Sequence, residues 1–393
     1  MSAAAGSDGA SNGAATLLAL RELGERVGRA GAPMLAGLDE TAAARKALAI
    51  VAQSGALHWT VPRAWGGADS SGLAAADDVS CRALCALRER IAYHSAMLDV
   101  MLVMQGLGSY SVARAGSETL RARVLPRVAS GELVAAFGLT EPEAGSDLGQ
   151  ISTRAERHLG RWRVRGTKTF ISNAGVADFY SVLARTSGAP GDGGRDSLTM
   201  FFVPADAAGL STARFEVTSP HPIGDVVFED VEVADECVLG AVGAGLDVAL
   251  ATLGRFRTTV AAAANGFARR ALDEALAHTK RRRQFGKPLA SFQGVAFDLA
   301  EMDVRLRAAQ LLVEEAAGAV DRGERAIAEV ARAKLFSTES ASWICDRAVQ
   351  LCGGLGVKRG SAVEHLWRDV RALRIYEGTS EIQKLILSRA LLG

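Results

Sequence analysis

The stretch Leu198-Thr199-Met200-Phe201-Phe202-Val203 decides the fold, because it is a short run of aromatic and β-branched residues in a chain whose two ends have helical spacing. Two such runs precede it: residues 162–165 alternate apolar and charged side chains, and residues 180–184 are rich in strand formers. Turns with Gly, Pro, Asp and Ser separate the runs. The sequence therefore predicts a middle β domain over residues 130–240, a small barrel or sandwich, in which the Gly-rich residues 187–194 form a hairpin loop.

Helical spacing occupies both flanks of this domain. From residue 17 to about residue 125, apolar residues recur every three or four positions, and the same period returns at residue 243 and continues to the end of the chain. The predicted fold is therefore α+β with several domains. An N-terminal α-helical domain covers residues 16–129, the β domain follows, and a C-terminal domain like a four-helix bundle covers residues 241–393.

The composition excludes several classes of protein. With 393 residues, a formal net charge of +1 and no uninterrupted apolar run of membrane-spanning length, the chain is not expected to bind nucleic acid or a membrane. Residues 1–15 are small and polar, lack the features of a secretory signal or transit peptide, and are expected to form a disordered tail. The five cysteines have neither a paired framework nor metal-ligand spacing, which favours a cytoplasmic location and no metal site.

Three segments carry polar groups in settings that indicate chemistry. In the run 374–382, Glu377 lies between an aromatic residue and Gly378, so that a substrate can approach the backbone while the apolar flank raises the pKa of the carboxyl group towards that of a base. Residues 137–147 form a Pro- and Gly-containing loop with hydroxyl groups, and residues 282–289 end a helical pattern in a basic cluster. Taken singly, a Glu-Gly pair is usually a surface turn and a basic run is usually a solvated face.

Together, and in this order, the three segments resemble the acyl-CoA dehydrogenase family, the flavoproteins that desaturate acyl thioesters between Cα and Cβ. The resemblance covers roughly residues 20–393 and implies FAD as cofactor, since no amino-acid side chain accepts a hydride. It implies that Glu377 removes the α-proton while flavin N5 accepts the β-hydride. Some relatives carry the base on an earlier helix, just before an arginine, but Phe256 occupies that position here, next to Arg257.

The resemblance also implies which residues bind the cofactor and the substrate. The loop 137–146 is expected along the flavin ring, Phe170 against the ring and Ser172 near N5, while Arg282 is expected to pair with the FAD pyrophosphate of a neighbouring subunit. The full cofactor set is Phe137, Leu139, Thr140, Gly145, Ser146, Phe170, Ser172, Arg282, Gln284, Phe285, Gln350, Gly353, Gly354, Thr379 and Glu381. The substrate set is Ser146, Arg257 and Gly378.

A cofactor shared across a subunit boundary implies a homo-oligomer, and the resemblance favours a tetramer that passes its electrons to an electron-transfer flavoprotein. Two alternatives remain: an oxidase that uses dioxygen, and a flavin-binding relative recruited to nucleic acid, which the near-neutral charge disfavours. The acyl carrier is also open. Gly254 stands where many relatives have aspartate, and the segment 220–226 is several residues shorter than usual. Both departures allow either coenzyme A or an acyl carrier protein as the carrier.

Overall fold

The computed structural model describes residues 4–74, 77–192 and 194–393. Within that part, five α-helices precede the first strand. Four of them begin at an Asp or Ser whose side chain accepts a hydrogen bond from a backbone N–H three residues later, which satisfies a donor that the first helical turn leaves free. The helices are α1 (Ala4–Gly31), α2 (Glu40–Gln53), α3 (Cys81–His94), α4 (Ala96–Ala115) and α5 (Glu118–Ala129).

Helix α1 corrects one prediction. The disordered tail expected over residues 1–15 is wrong for residues 4–15, which are helical, while residues 1–3 lie outside the described part of the chain. Alanine, the best helix former, is the commonest residue type in this stretch. In addition, Gly13 is buried against the chain at Gly72, where an added Cβ would lie 2.5 Å from the carbonyl oxygen. Packing therefore supports a segment whose composition alone indicated disorder.

Helix α4 is a core helix. Among the described residues, it is the one helix that is long and apolar enough to cross a membrane, and 78% of its most apolar window is buried inside the protein. Its side chains contribute to the largest apolar core, which α4 shares with the sheet and with the start of the helix that follows the sheet; Leu107, Val182, Phe201 and Phe256 are members.

The middle domain is a single eight-stranded sheet, which confirms the predicted β domain. Its strands pair in the order β6-β7-β3-β2-β4-β5-β8, and β1 pairs with β4 in parallel. Strand β4 is buried along its whole length, which explains why most of its residues are apolar. The Gly-rich loop, of which residue 193 lies outside the described part of the chain, connects the antiparallel strands β4 and β5, as predicted. The strands are β1 (Ala135–Gly138), β2 (Arg154–His158), β3 (Arg161–Ser172), β4 (Phe179–Arg185), β5 (Leu198–Pro204), β6 (Leu210–Arg214), β7 (Ile223–Val233) and β8 (Val238–Leu239).

Helices resume at Gly245, which confirms the predicted order of helices, sheet and helices. The longest, α6, has 37 residues, and its alanine-rich face packs against α3 and against the next helices. At Gly266 an added Cβ would lie 2.2 Å from the Glu89 carbonyl oxygen, so only glycine permits this approach of α6 to α3. The elements are α6 (Gly245–Arg281), the hairpin strands β9 (Arg283–Gln284) and β10 (Lys287–Pro288), α7 (Gln293–Asp321), α8 (Ile327–Cys352), α9 (Ala362–Asp369) and α10 (Ser380–Leu392).

The two helical regions are joined by a buried carboxylate. Asp321, the last residue of α7, is 3% exposed and accepts hydrogen bonds from the Ser80 hydroxyl at 2.8 Å and from the Cys81 N–H at 2.7 Å, at the start of α3. Arg255 of α6 contacts Asp321 at 3.3 Å and Asp78 at 2.7 Å. The C-terminus of one helix therefore caps the N-terminus of another from a distant part of the chain, where negative charge is favourable.

We expect Asp321→Ala to lower the free energy of unfolding by about 2–5 kcal/mol, because it leaves the α3 N–H groups and Arg255 buried with fewer acceptors. Urea unfolding followed by circular dichroism measures the change. Asp303→Ala on the same helix is the matched control: its side chain is 64% exposed, and the expected change is within about 0.5 kcal/mol. Equal stability of the two variants would contradict the capping role.

Candidate functional site

Glu377 lies in the connection between α9 and α10 in a backbone conformation that few residues adopt. Its φ is 53°, and that of the following Gly378 is 92°. A non-glycine residue in the left-handed region persists only where its surroundings hold it, and such residues cluster at functional sites. The Glu-Gly pair that the sequence singles out is therefore a constrained turn.

Three helices hold this turn through its two carbonyl groups. Arg257 of α6 donates from Nε to the Glu377 carbonyl oxygen at 2.7 Å. Lys334 of α8 donates from Nζ to the Gly378 carbonyl oxygen at 2.8 Å, and Gln383 of α10 donates to the same oxygen at 2.9 Å. Arg257, which the sequence places beside the glutamate loop, thus contacts its backbone and leaves the Glu377 carboxyl group available.

The electrostatics of Glu377 suit a base. Burial raises the pKa of its carboxyl group, and the charges of Arg88, Arg257 and Lys334 act in the opposite direction, with a net rise. The Oε2 atom is buried and has no hydrogen-bond partner among the described residues. A buried, unpartnered carboxylate oxygen with a raised pKa can accept a proton from a bound molecule.

A buried ion pair that sequence reasoning missed lies on the α3–α4 side of this carboxyl group. Arg88 and Asp99 are 1% and 2% exposed, and the guanidinium donates to both carboxylate oxygens, at 2.8 and 2.6 Å. Arg88 also donates to the Thr259 hydroxyl at 2.8 Å. The available signal was Asp99 itself, a carboxylate within the apolar sequence of α4 that would not be buried without a partner.

The loop expected along the flavin is fastened by a second buried ion pair. Glu141 contacts Lys168 of β3 at 2.7 Å, and both side chains are almost fully buried. Burial alone would raise the pKa of Glu141, but the Lys168 charge and several hydrogen bonds lower it to about 2. Burial lowers the pKa of Lys168 to about 8 against the attraction of Glu141. Sequence reasoning assigned no role to either residue.

This fastening leaves the outer part of the loop open. The Lys168 ammonium also donates to the Leu139 carbonyl oxygen, and the Thr140 carbonyl oxygen accepts from the backbone of Thr169 on β3. Gly145 and Ser146 are exposed, and no atom lies within 4 Å of an added Cβ at Gly145. Phe137, by contrast, is part of the apolar core. The loop therefore presents a fixed backbone and an open face on which a flat ligand could lie.

Phe170 and Ser172 lie at the end of β3. Phe170 has φ 55° and is 61% exposed, and its ring packs edge-on against that of Phe215 with the ring centroids 5.1 Å apart. A large aromatic side chain is rarely left this exposed. The Ser172 hydroxyl contacts Nε2 of His221 at 3.0 Å, while Nδ1 of His221 contacts the Ser219 carbonyl oxygen at 2.9 Å. Since a carbonyl oxygen only accepts, Nδ1 carries the proton and Ser172 donates to Nε2.

The remaining residues predicted to bind the cofactor lie in the C-terminal helical domain, on its helices and in the segments that follow α6 and α8. Most are exposed in the single chain, and Phe285 is 92% exposed with φ 48°. Thr379 caps α10 by accepting from the Ile382 N–H, and Glu381 is exposed in the first turn of that helix. The exposed members are Arg282, Gln284, Phe285, Gln350, Gly353, Gly354 and Glu381.

This set of side chains fits FAD. Arg282 offers a guanidinium to a pyrophosphate, and Phe170 offers an exposed ring to a flavin. Gly353 and Gly354 have no atom within 4 Å of an added Cβ, so the backbone there is open to a close ligand. The structure thus brings Arg257 against the turn of Glu377 and Gly378, and leaves Arg282, Gly353 and Gly354 exposed at the ends of α6 and α8.

Comparison with known proteins identifies the family of almost the whole chain. The N-terminal, middle and C-terminal domains of acyl-CoA dehydrogenases match residues 18–132, 136–231 and 243–392. The probable acyl-CoA dehydrogenase FadE25 of Mycobacterium tuberculosis is 36% identical over 366 residues, covering 92% of this chain and 91% of that protein.

Several solved structures have the same fold as this chain over nearly its full length. Butyryl-CoA dehydrogenase from Megasphaera elsdenii has a TM-score of 0.88 and 30% identity, covering 96% of this chain and 98% of that one. A structure described as an electron transferring flavoprotein of Acidaminococcus fermentans has a TM-score of 0.88 and 28% identity, covering 96% and 98%. The FAD complex of PigA has a TM-score of 0.85 and 25% identity, covering 97% of each chain. Since all three domains match in order and the site fits the flavin, this chain is an FAD-dependent oxidoreductase of the acyl-CoA dehydrogenase family.

Proposed function

We propose that the protein removes two hydrogens from an acyl thioester, with Glu377 as the base for the α-proton. Family membership supports FAD-dependent oxidation of acyl-CoA in general. The observation that carries the specific role is the Oε2 atom of Glu377, which is buried, lacks a partner among the described residues and belongs to a carboxyl group whose pKa burial raises.

The turn supplies a second catalytic group. Among the described residues, the backbone N–H of Glu377 has no hydrogen-bond acceptor. The side chains that hold the turn donate to its carbonyl oxygens and do not occupy this N–H. This N–H can donate to the thioester carbonyl oxygen, where negative charge develops as the α-proton leaves for Oε2. Donor and base then belong to one residue, and Arg257 and Lys334 fix both by fixing the turn.

The cofactor would lie between the two parts of the site. We propose that the loop around Thr140, together with Phe170, holds the flavin ring and that Arg282 and Gly353–Gly354 of a neighbouring subunit hold the rest. FAD, when bound, supplies the acceptor for the β-hydrogen and its two electrons. We further propose an electron-transfer flavoprotein as the next acceptor, rather than dioxygen, because a structure described as such a flavoprotein is among the close neighbours. A cytoplasmic location agrees with five cysteines that are all unpaired and buried.

Glu377→Gln should retain FAD and the fold but lose about 10²–10⁴-fold in kcat, because an amide of the same shape cannot accept the proton. Turnover of an acyl-CoA with an artificial electron acceptor measures the loss, and flavin absorbance checks cofactor content. Glu236→Gln, at a side chain that is 58% exposed, is the matched control and should turn over normally. Normal turnover of Glu377→Gln would assign the base to another residue.

We propose a homotetramer, supported by apolar side chains that the single chain leaves exposed. Phe297, Val304 and Leu311 recur every seven residues on α7, so they share one face, and they are 64%, 66% and 49% exposed. Phe285, beside Arg282, is 92% exposed. Exposed apolar surfaces of this kind are typical of sites where one protein contacts another.

Arg282→Ala is expected to reduce both FAD content and the mass of the assembly, because the guanidinium would bind a cofactor across the subunit boundary. Light scattering and flavin absorbance measure the two effects, and Arg281→Ala, one residue earlier and also exposed, is the control. A wild-type protein that is monomeric with a full complement of FAD would contradict the shared site.

The carrier of the acyl group is proposed to be the phosphopantetheine of a carrier protein. No atom lies within 4 Å of an added Cβ at Gly254, so the absent aspartate leaves open space. The shortened segment 220–226 is tied back by the Ser219 hydroxyl, which donates to Asp369 of α9 at 2.8 Å. On this proposal, the smaller loop would leave room for a larger partner, and the missing acceptor would remove one contact to the pantetheine arm.

A matched pair of substrates tests the carrier. The same acyl chain on carrier protein is expected to give a higher kcat/KM than on coenzyme A. Gly254→Asp, which restores the acceptor in open space, should shift the ratio towards coenzyme A. A wild-type preference for the coenzyme A thioester would reject the carrier protein, whereas activity on both would leave the dehydrogenase function intact.

A further inference from the structure

Lys334 is a buried ammonium whose position is unusual for a lysine. Its side chain is fully buried in α8, and its one hydrogen bond in the described structure goes to a backbone carbonyl oxygen, that of Gly378. Buried lysines ordinarily pair with a carboxylate, because desolvating an unpaired charge is costly. Lys334 instead contacts the turn that carries Glu377.

The charges around Lys334 connect it to the base. Burial lowers the pKa of the ammonium to about 8, and the Glu377 charge is the largest influence that opposes this. Arg257 lowers the pKa further, and Glu339 and Glu381 raise it. Reciprocally, the Lys334 charge lowers the pKa of Glu377. The two groups therefore titrate in each other's field while the hydrogen bond to Gly378 fixes their separation.

We propose that Lys334 is a positioning residue for the base; this inference rests on the proposed role of Glu377. Lys334 fixes the Glu-Gly turn through the Gly378 carbonyl group and keeps the Glu377 carboxylate ionised. The first task needs only a donor. The second needs a positive charge. Without nearby cations, burial raises the pKa of a glutamate carboxyl group further, so a smaller fraction of it is ionised and able to accept a proton.

The chain itself offers a control that separates the two tasks. Gln383 donates to the same Gly378 oxygen at 2.9 Å and is also fully buried, but it is neutral. Removing Gln383 therefore loosens the turn and leaves the charge at Glu377 unchanged. Removing Lys334 loosens the turn and also removes a positive charge near Glu377, so the difference between the two variants isolates the effect of charge.

The sign of the expected pH effect follows from the directions of the pKa changes. Burial already raises the pKa of Glu377, and the Lys334 charge lowers it. Loss of that charge raises the pKa further, so the acidic limb of the pH–rate profile, which reports ionisation of the base, moves to higher pH. At a pH below the limb, the ionised fraction falls about tenfold when the pKa of the base rises by about one. In the wild type, the same charge is lost as pH rises through about 8, where Lys334 releases its proton.

The experiment compares pH profiles of kcat and kcat/KM for the FAD-loaded wild type, Lys334→Met, Lys334→Gln, Lys334→Arg and Gln383→Met. We expect the acidic limb to move to higher pH in Lys334→Met and Lys334→Gln, with kcat reduced at neutral pH more than KM is raised. Lys334→Arg should restore the limb because it restores the charge. Gln383→Met should lower kcat with the limb in its wild-type position.

Lys334→Gln keeps an amide donor for Gly378, so the proposal stays testable where Lys334→Met fails to fold. A wild-type limb in the neutral Lys334 variants would overturn the proposal, and so would an equal shift in Gln383→Met. If Glu377→Gln is inactive while Lys334→Met has a wild-type profile, the role of Lys334 fails and that of Glu377 stands. If Glu377→Gln is fully active, the proposed function fails first.

Discussion

The turn at Glu377 and Gly378 is the constraint on which the site depends. A non-glycine residue at positive φ, as Glu377 is, adopts a costly conformation, and donors from α6, α8 and α10 offset that cost. These helices must therefore pack in one arrangement before the carboxyl group is correctly placed. The glycine contact of α6 with α3 and the alanine-rich face of α6 serve this packing at a distance from the chemistry.

Buried charge is the means by which the structure orders its loops. Asp321 caps α3, Glu141 and Lys168 fasten the loop at residues 137–147 to β3, and Lys334 holds the turn at Glu377 and Gly378. In each case, a single charged side chain satisfies backbone groups or an opposite charge from a distant segment. Because an unpaired buried charge is so costly, such contacts specify one arrangement of the loops rather than merely adding stability.

The sequence predicted the order of domain types because periodicity reports burial directly, and the sheet and both helical regions have clear periods. It also pointed to Glu377, Gly378 and Arg257, which the structure brings together. It missed Lys334, Arg88 and Lys168, since a charged residue in a helical or strand pattern is read as solvent-facing and its partner is remote; Glu141 and Lys168, for example, are 27 positions apart. It also read residues 4–15 from composition alone, without the packing that makes them helical.

The length of α6 has a consequence for how the protein keeps its cofactor. Arg257 is the thirteenth of the 37 residues of this helix and Arg282 follows directly after its end, so at 1.5 Å per residue roughly 38 Å of helix separates the arginine that holds the Glu377 turn from the arginine proposed to contact the pyrophosphate. In the proposed assembly, this one helix therefore contributes an arginine to each of two different active sites. Retention of FAD then becomes a property of protein concentration as well as of affinity, and dilution would empty the sites of cofactor while each chain remained folded.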